Sequence, residues 1–249
     1  MRSIIFAGLF AGACFSAQGQ GLQLGGQYWE MKPSGNLSVG RDGRAGTRVD
    51  VGNDLGFRSE ENVLGFDLVL GAGNEIALSY LDAELSANSR FSKPVEFGGT
   101  SFPTTTRIHS ELEAKLLRLA YRYQSGSHGF RGGFLAGIQR ASVDAEVTSA
   151  RGGSGSGDAS ATAPVVGINF RIDPSSLFRI DAGIIGGVWD WDDTDIAFWD
   201  ATVSLRVNIR PFMIGIGYRQ ISMDAEDGGL PIEADIRFKG PFLEAGLLF

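Results

Sequence analysis

The chain of 249 residues has one cysteine, Cys14, two histidines, His109 and His128, and few residues in helix-favouring runs. A single cysteine excludes an internal disulfide framework. Beyond its first segment the sequence has no apolar stretch long enough for a membrane-spanning helix. Clustered basic residues are also missing. With a net charge of −7 and a pI near 4.9, nothing is arranged to neutralise phosphates, which excludes a nucleic-acid partner. The Gly-rich run from Arg151 to Gly157 is followed by neither Lys-Ser nor Lys-Thr. It therefore cannot be a phosphate loop, and it reads as a flexible loop tip.

What is present begins with a leader. Met1 and Arg2 start positively, Ile4 to Phe15 is apolar, and Ala17-Gln18-Gly19 places small side chains where a signal peptidase requires them. The expectation is a cleaved signal peptide over residues 1–19 and a mature domain over 20–249. Cys14 then falls inside the discarded leader. An exported chain without disulfides must be held by a large core or by a closed sheet.

Thirty-six glycines accompany a dominant period-two alternation. Val203, Leu205, Val207 and Ile209 alternate with Thr202, Ser204, Arg206 and Asn208. Val166, Ile168, Phe170 and Ile172 alternate with Gly167, Asn169 and Arg171. Phe178, Ile180, Ala182 and Ile184 alternate with Arg179, Asp181 and Gly183, and Leu64, Phe66, Leu68 and Leu70 with Gly65 and Asp67. Each segment has roughly the 9–11 residues that a tilted strand needs to cross a bilayer. Half-buried strands of a soluble sandwich alternate as well, so the connections must discriminate. Short turns at Ala72-Gly73-Asn74, Ser125–Gly129, Pro174-Ser175-Ser176 and Arg210-Pro211 take turns with longer polar stretches at Asn88–Thr104, Ser149–Ser160, Asp190–Asp195 and Glu226–Pro231. That rhythm belongs to a transmembrane barrel. About ten strands are counted, from Leu22–Lys32 through Leu243–Phe249, with eight or twelve as alternatives. Between Pro33 and Glu60, Leu37-Ser38-Val39 and Val49-Asp50-Val51 could pair as a protruding hairpin or as two further strands.

At the chain end Leu243, Ala245, Leu247 and Phe249 share one face, opposite Glu244, Gly246 and Leu248. A terminal aromatic residue preceded by apolar residues at every second position resembles the last strand of outer-membrane barrels. The whole mature chain is similar in pattern to the small barrels grouped with the outer-membrane protein A transmembrane domain and the outer-membrane protein W type. This resemblance implies an all-β antiparallel transmembrane barrel in the outer membrane, with both termini periplasmic, short periplasmic turns and longer extracellular loops. It also implies that Leu243, Ala245, Leu247 and Phe249 carry the signal read by the barrel insertion machinery. Tyr28, Trp29, Tyr80, Tyr121, Tyr123, Trp189, Trp191, Trp199 and Tyr218 are expected near strand ends, as an interfacial girdle.

Candidate chemistry is sparse. His109 and Ser110 are adjacent in a predicted strand, so they point to opposite faces, whereas Glu111 and Glu113 fall on the histidine side. A Ser–His–acid hydrolase of lipid A is therefore disfavoured, and no catalytic residue is assigned. Asp190, Asp192, Asp193 and Asp195, beside Trp189 and Trp191, form the densest acidic cluster. They lack the glycine and terminal glutamate of a calcium loop and read as solvated external acids, as do Asp224, Glu226 and Asp227. No cofactor and no dedicated metal site is implied. The polar faces are more telling. Asp67, Arg118, Arg122, Arg171, Arg179, Asp181, Arg206, Arg219 and Glu244 all lie on predicted inward rows. In a confined lumen they must pair, either as a plug that fills the barrel or as the lining of a narrow path for small polar solutes. The expected partners are outer-membrane lipid and lipopolysaccharide, and the expected role is structural or surface-contacting.

Overall fold

The computed structural model describes residues 21–41, 46–58, 61–127, 129–191, 194–227 and 232–249. The leader with Cys14 and its cleavage site, His128, Asp192 and Asp193 lie outside the described residues. So do the side chains of Trp189, Asp190, Trp191, Asp195, Glu226 and Asp227.

The strands in chain order are β1 (Leu22–Val39), β2 (Val49–Asp50), β3 (Glu61–Ala72), β4 (Asn74–Arg90), β5 (Val95–Phe97), β6 (Thr100–Phe102), β7 (Arg107–Ser127), β8 (Phe130–Ser149), β9 (Ser154–Ile172), β10 (Phe178–Trp191), β11 (Thr194–Ile209), β12 (Phe212–Asp227) and β13 (Ile232–Leu248). Ten of these, all but β2, β5 and β6, pair antiparallel in the order β1-β3-β4-β7-β8-β9-β10-β11-β12-β13, and β13 pairs back onto β1. The sheet is a closed ten-stranded barrel. Closure leaves no bare sheet edge at the chain ends, and Phe249 N donates to Leu22 O at 2.9 Å.

Alternation sorts the side chains into an outer belt and a lumen. Ile172, Phe170, Ile168 and Val166 on β9 are exposed, as are Tyr123, Tyr121, Leu119 and Leu117 on β7 and Phe212, Ile214, Ile216 and Tyr218 on β12. Each row stops at a similar height, where Thr162, Lys115 and Gln220 take over. Each of these rows covers seven residues, Val166 to Ile172, Leu117 to Tyr123 and Phe212 to Tyr218, and together they form an outward apolar band around the barrel. The aliphatic rows lie outside and are not sandwiched between two sheets. Tyr28, Tyr80, Trp199 and Tyr218 mark the upper edge of the belt, and Tyr121 and Tyr123 lie near its lower edge. Trp29 departs from the girdle expected for it. It is opposite in phase to Tyr28, so it points inward and is fully buried.

The two ends of the barrel differ. The end bearing the described termini closes with the short turns. At the other, the loop end, strands run well beyond the belt, and here the sequence reading needs correction. Residues 154–160 are β9 strand paired to β8 (Thr148 opposite Ser154), not loop. The hairpins at 190–195 and 226–231 likewise carry strand to Trp191 and from Thr194, and to Asp227 and from Ile232. The additional length beyond the belt is largely paired strand, because polar residues exposed to water ladder as readily as apolar ones exposed to lipid. Strand β1 extends past Lys32 to Val39. Leu37 pairs with Val49 of β2, so the expected hairpin forms as a protrusion and adds no strand to the barrel.

Those extensions carry a second core. Val49, Val51, Leu55, Phe57, Phe91, Val95, Phe97 and Phe102 are almost fully buried against Leu85, Ile108, Leu112 and Val147. The segment 46–58 and the β5–β6 hairpin therefore form a cap folded inward over the barrel wall. Of the glycines read as part of a flexible tip, Gly155 is packed against this cap and Gly157 against Val39 at the end of β1. A Cβ at Gly155 would lie 2.1 Å from the Phe97 carbonyl oxygen, and one at Gly157 would lie 2.5 Å from Val39 Cγ1.

Candidate functional site

The lumen of the belt region is crossed by two layers of ion pairs, each built from strands on facing walls. In the upper layer Asp200 of β11 is 2 % exposed. Arg118 of β7 donates to it from Nη2 at 2.8 Å. Arg219 of β12 donates from Nε at 3.0 Å and Nη2 at 2.8 Å. Neutral groups take further donors: Arg118 Nε and Nη2 reach Gln139 Oε1 at 2.9 and 2.6 Å, and Arg219 Nη1 reaches Gln27 Oε1 at 3.2 Å. Each guanidinium also lies over a ring, Arg118 above Phe198 at 5.8 Å and Arg219 above Trp29 at 5.5 Å. Trp29 Nε1 donates to Gly240 O at 3.0 Å, which fixes that ring.

The lower layer, nearer the short turns, is a chain of alternating charges. Arg122 meets Glu75 at 3.2 Å, and Glu75 meets Arg171 at 3.8 Å. Arg171 meets Asp181 at 3.1 Å, and Asp181 meets Arg206 at 3.1 Å. Arg206 then grips Glu244 with two bonds, of 2.6 and 2.9 Å. The bidentate geometry of that last pair is the strongest arrangement open to these groups. Arg179 sits at the lower rim against Asp173, at 3.1 Å. Asp67 faces the polar space of about 170 Å³ between the layers, which Arg118, Arg206 and Arg219 also line.

Of the charges named from the sequence, Asp67, Arg118, Arg122, Asp181, Arg206, Arg219 and Glu244 line this polar space, and Arg171 and Arg179 lie in ion pairs beside it. The two carboxylates that organise the layers, Asp200 and Glu75, were missed. Both follow from the alternation: Asp200 continues the row Thr202, Ser204, Arg206, and Glu75 shares phase with Ala77 and Ser79, opposite the exposed Ile76 and Tyr80. Leu243, Ala245 and Leu247 lie on the outward row of β13, and Phe249 is exposed beyond its end.

Above the upper layer, the lumen holds a second, apolar cavity of about 330 Å³. Outside, just above the belt, Asp82, Glu84 and Glu113 bring carboxylate oxygens within 4.8 Å of one another, with Lys115 bonded to Glu113. His109 is also outside. Its Nδ1 lies 3.1 Å from Asn88 Oδ1 and its Nε2 3.2 Å from Glu111 Oε1, while Ser110 is buried on the opposite face. That hydroxyl cannot reach the imidazole, so the pair assembles no nucleophile and base.

No family model matches the chain, and no curated protein matches it in sequence. Solved structures do. The fold is that of the outer-membrane β-barrels. The outer-membrane protease OmpT of Escherichia coli is similar with a TM-score of 0.58 at 11 % identity, over 92 % of this chain and 97 % of that one. Weaker likenesses are to the transport unit of the autotransporter AIDA-I of Escherichia coli (TM-score 0.41, 9 % identity, 96 % and 93 % covered) and to the attachment invasion locus protein Ail of Yersinia pestis (TM-score 0.38, 11 % identity, 93 % and 99 % covered). At such identities the likeness carries the fold and no activity.

Proposed function

We propose that this protein is an integral outer-membrane barrel, exported by a cleavable leader, whose lumen is sealed by ion pairs and whose loop-end cap meets the cell exterior as a structural or surface-contacting element. The observation that carries the reading is Asp200. One buried carboxylate holds arginines from two strands, one of them on the facing wall, so that the ion pairs span the lumen. In this reading the role is non-enzymatic, because the histidine–serine pair is split between two faces of its strand.

The exposed apolar belt supports the membrane location. The charges immediately above it, Lys115, Arg140 and Lys239 among them, lie at the level where lipopolysaccharide headgroups would be met. The terminal row Leu243, Ala245, Leu247 and Phe249, on the outward face at the end of the chain, is proposed as the signal for the insertion machinery. It is also what supports grouping the chain with barrels of the outer-membrane protein A and W type. The test is fractionation with heat-modifiable migration, followed by swelling of vesicles containing the refolded barrel in a small sugar. Recovery with the outer membrane and no swelling are expected. Swelling would replace the sealed barrel by the alternative of a small-solute channel.

A further inference from the structure

Among the described residues, the ladder between β9 and β10 stops well short of the ends of both strands. Strands β9 and β10 pair from Ile172 opposite Ile180 up to Val166 opposite Gly186, and there the ladder ends. Both strands continue beyond it, β10 to Trp191 and β9 back to Ser154, each still paired on its other side. The next positions explain the break. Pro164 has no N–H to offer a ladder; the strands still touch at Gly187, where a Cβ would lie 2.6 Å from the Pro164 carbonyl oxygen, and beyond it no ladder joins them. A comparable end of pairing between β3 and β4, above Leu64 and Asp82, is covered by segment 46–58, where Ser89 Oγ bonds to Asp54 O.

The seam opens at the upper edge of the belt, between the strongly exposed Val166 and Val188. At that height water and headgroups can satisfy backbone groups that hydrocarbon could not. Inside the seam lies the apolar cavity. Its lining takes in both flanks, Ala161 and Ala163 of β9 and Gly187 of β10, and faces Phe198, Met223 and Ile236 across the lumen. The small residues of β9 make the space, because their side chains do not reach the opposite wall. Its volume of about 330 Å³ falls within the roughly 300–1,000 Å³ of small-molecule sites. Such a wall gives water few hydrogen-bond partners and suits an apolar guest.

We infer that this cavity binds an unbranched alkyl chain, which enters sideways through the seam between β9 and β10. An unbranched chain is the narrowest apolar guest and therefore the one best suited to pass between two neighbouring strands that are no longer laddered to each other. The polar head stays outside. The cations nearest the cavity floor, Arg118 and Arg219, are already held by Asp200, whereas Arg140 and Thr162 face outward as a cross-strand pair beside the seam. The chain can be the tail of a membrane lipid or of a free fatty acid.

The test uses the full barrel in phosphatidylcholine vesicles with two probes in turn, a diazirine-tailed phosphatidylcholine and a diazirine-tailed palmitic acid. After irradiation, adducts are mapped by mass spectrometry. Adducts on the inward row of β9 and on Phe198, beside those on belt residues such as Ile168 and Val203, are expected. Labelling of the lumen by the phospholipid assigns a lipid tail, and labelling by the fatty acid alone assigns a free ligand. Ala161→Trp, which fills the cavity, should remove the lumen adducts and leave those of the belt, with heat-modifiable migration showing that the variant folds. Pro164→Val, which restores the N–H, should diminish them too; undiminished labelling overturns entry through the seam. Adducts confined to the belt with both probes overturn the cavity as a binding site. The inference rests on the belt lying in lipid, and loss of that premise would show separately, as an unlabelled belt.

Discussion

Asp200 on β11 and Arg118 on β7 meet at 2.8 Å across the lumen, from strands that share no ladder. The contact ties facing walls together where both side chains are withdrawn from water. Arg219 binds the same carboxylate from the neighbouring strand, so one negative charge answers two positive ones. The resulting excess is spread over Gln139, Gln27 and two aromatic faces.

Removing that carboxylate should be costly. Asp200→Asn keeps the size but leaves two buried guanidinium groups without a counter-ion, a loss of about 3–5 kcal/mol. Urea unfolding of the refolded barrel in lipid vesicles measures it. Asp67→Asn, at a position with no ion pair within 4 Å among the described residues, should cost much less, so the contrast between the two variants checks the assignment.

The cap should depend on Gly155 of β9. Gly155→Val would drive a side chain into the Phe97 carbonyl, and overpacking of this kind costs about 1–3 kcal/mol. The β5–β6 hairpin is expected to leave the wall, giving faster external proteolysis within residues 91–106 while the belt strands stay protected.

At the loop end, above the belt, Asp224 and Asp235 face each other across β12 and β13. Partial burial, and then the facing carboxylate, raise the Asp224 carboxyl above its ordinary 3.8. The folded state then holds this proton more tightly than the unfolded chain does. The pair therefore weakens the hairpin at pH values above the raised value, and the penalty is relieved as pH falls through it towards 3.8. Asp224→Asn should slow amide exchange in this hairpin at neutral pH and flatten its pH dependence. An unchanged exchange profile would show that the two acids do not interact.

The barrel was legible because the alternation of rows such as Val203 to Ile209 carries strand, phase and exposure together. Inward arginines could be named for the same reason. Their partners could not, since which carboxylate meets Arg118 depends on closure and stagger rather than on local pattern, and Asp200 lies far from it in sequence. Trp29 shows the limit of residue type as a guide: phase, not aromatic character, decided that it faces inward. The cap was hidden differently. Glycine at 155 and 157 signals mobility as readily as close approach, and only the position of Phe97 and Val39 separates the two. Nor does alternation report where a ladder stops, so the seam beside Pro164 could not be read from it.

The sealed lumen is tested most directly by single-channel recording of the refolded barrel in planar bilayers. The wild-type protein is predicted to give no conductance steps at any salt concentration, and the triple variant Arg118→Ala, Asp200→Ala, Arg219→Ala, with Arg122→Ala and Glu75→Ala added to open the lower layer, to give them. Stepwise, ion-selective conductance from the wild-type barrel would contradict the account.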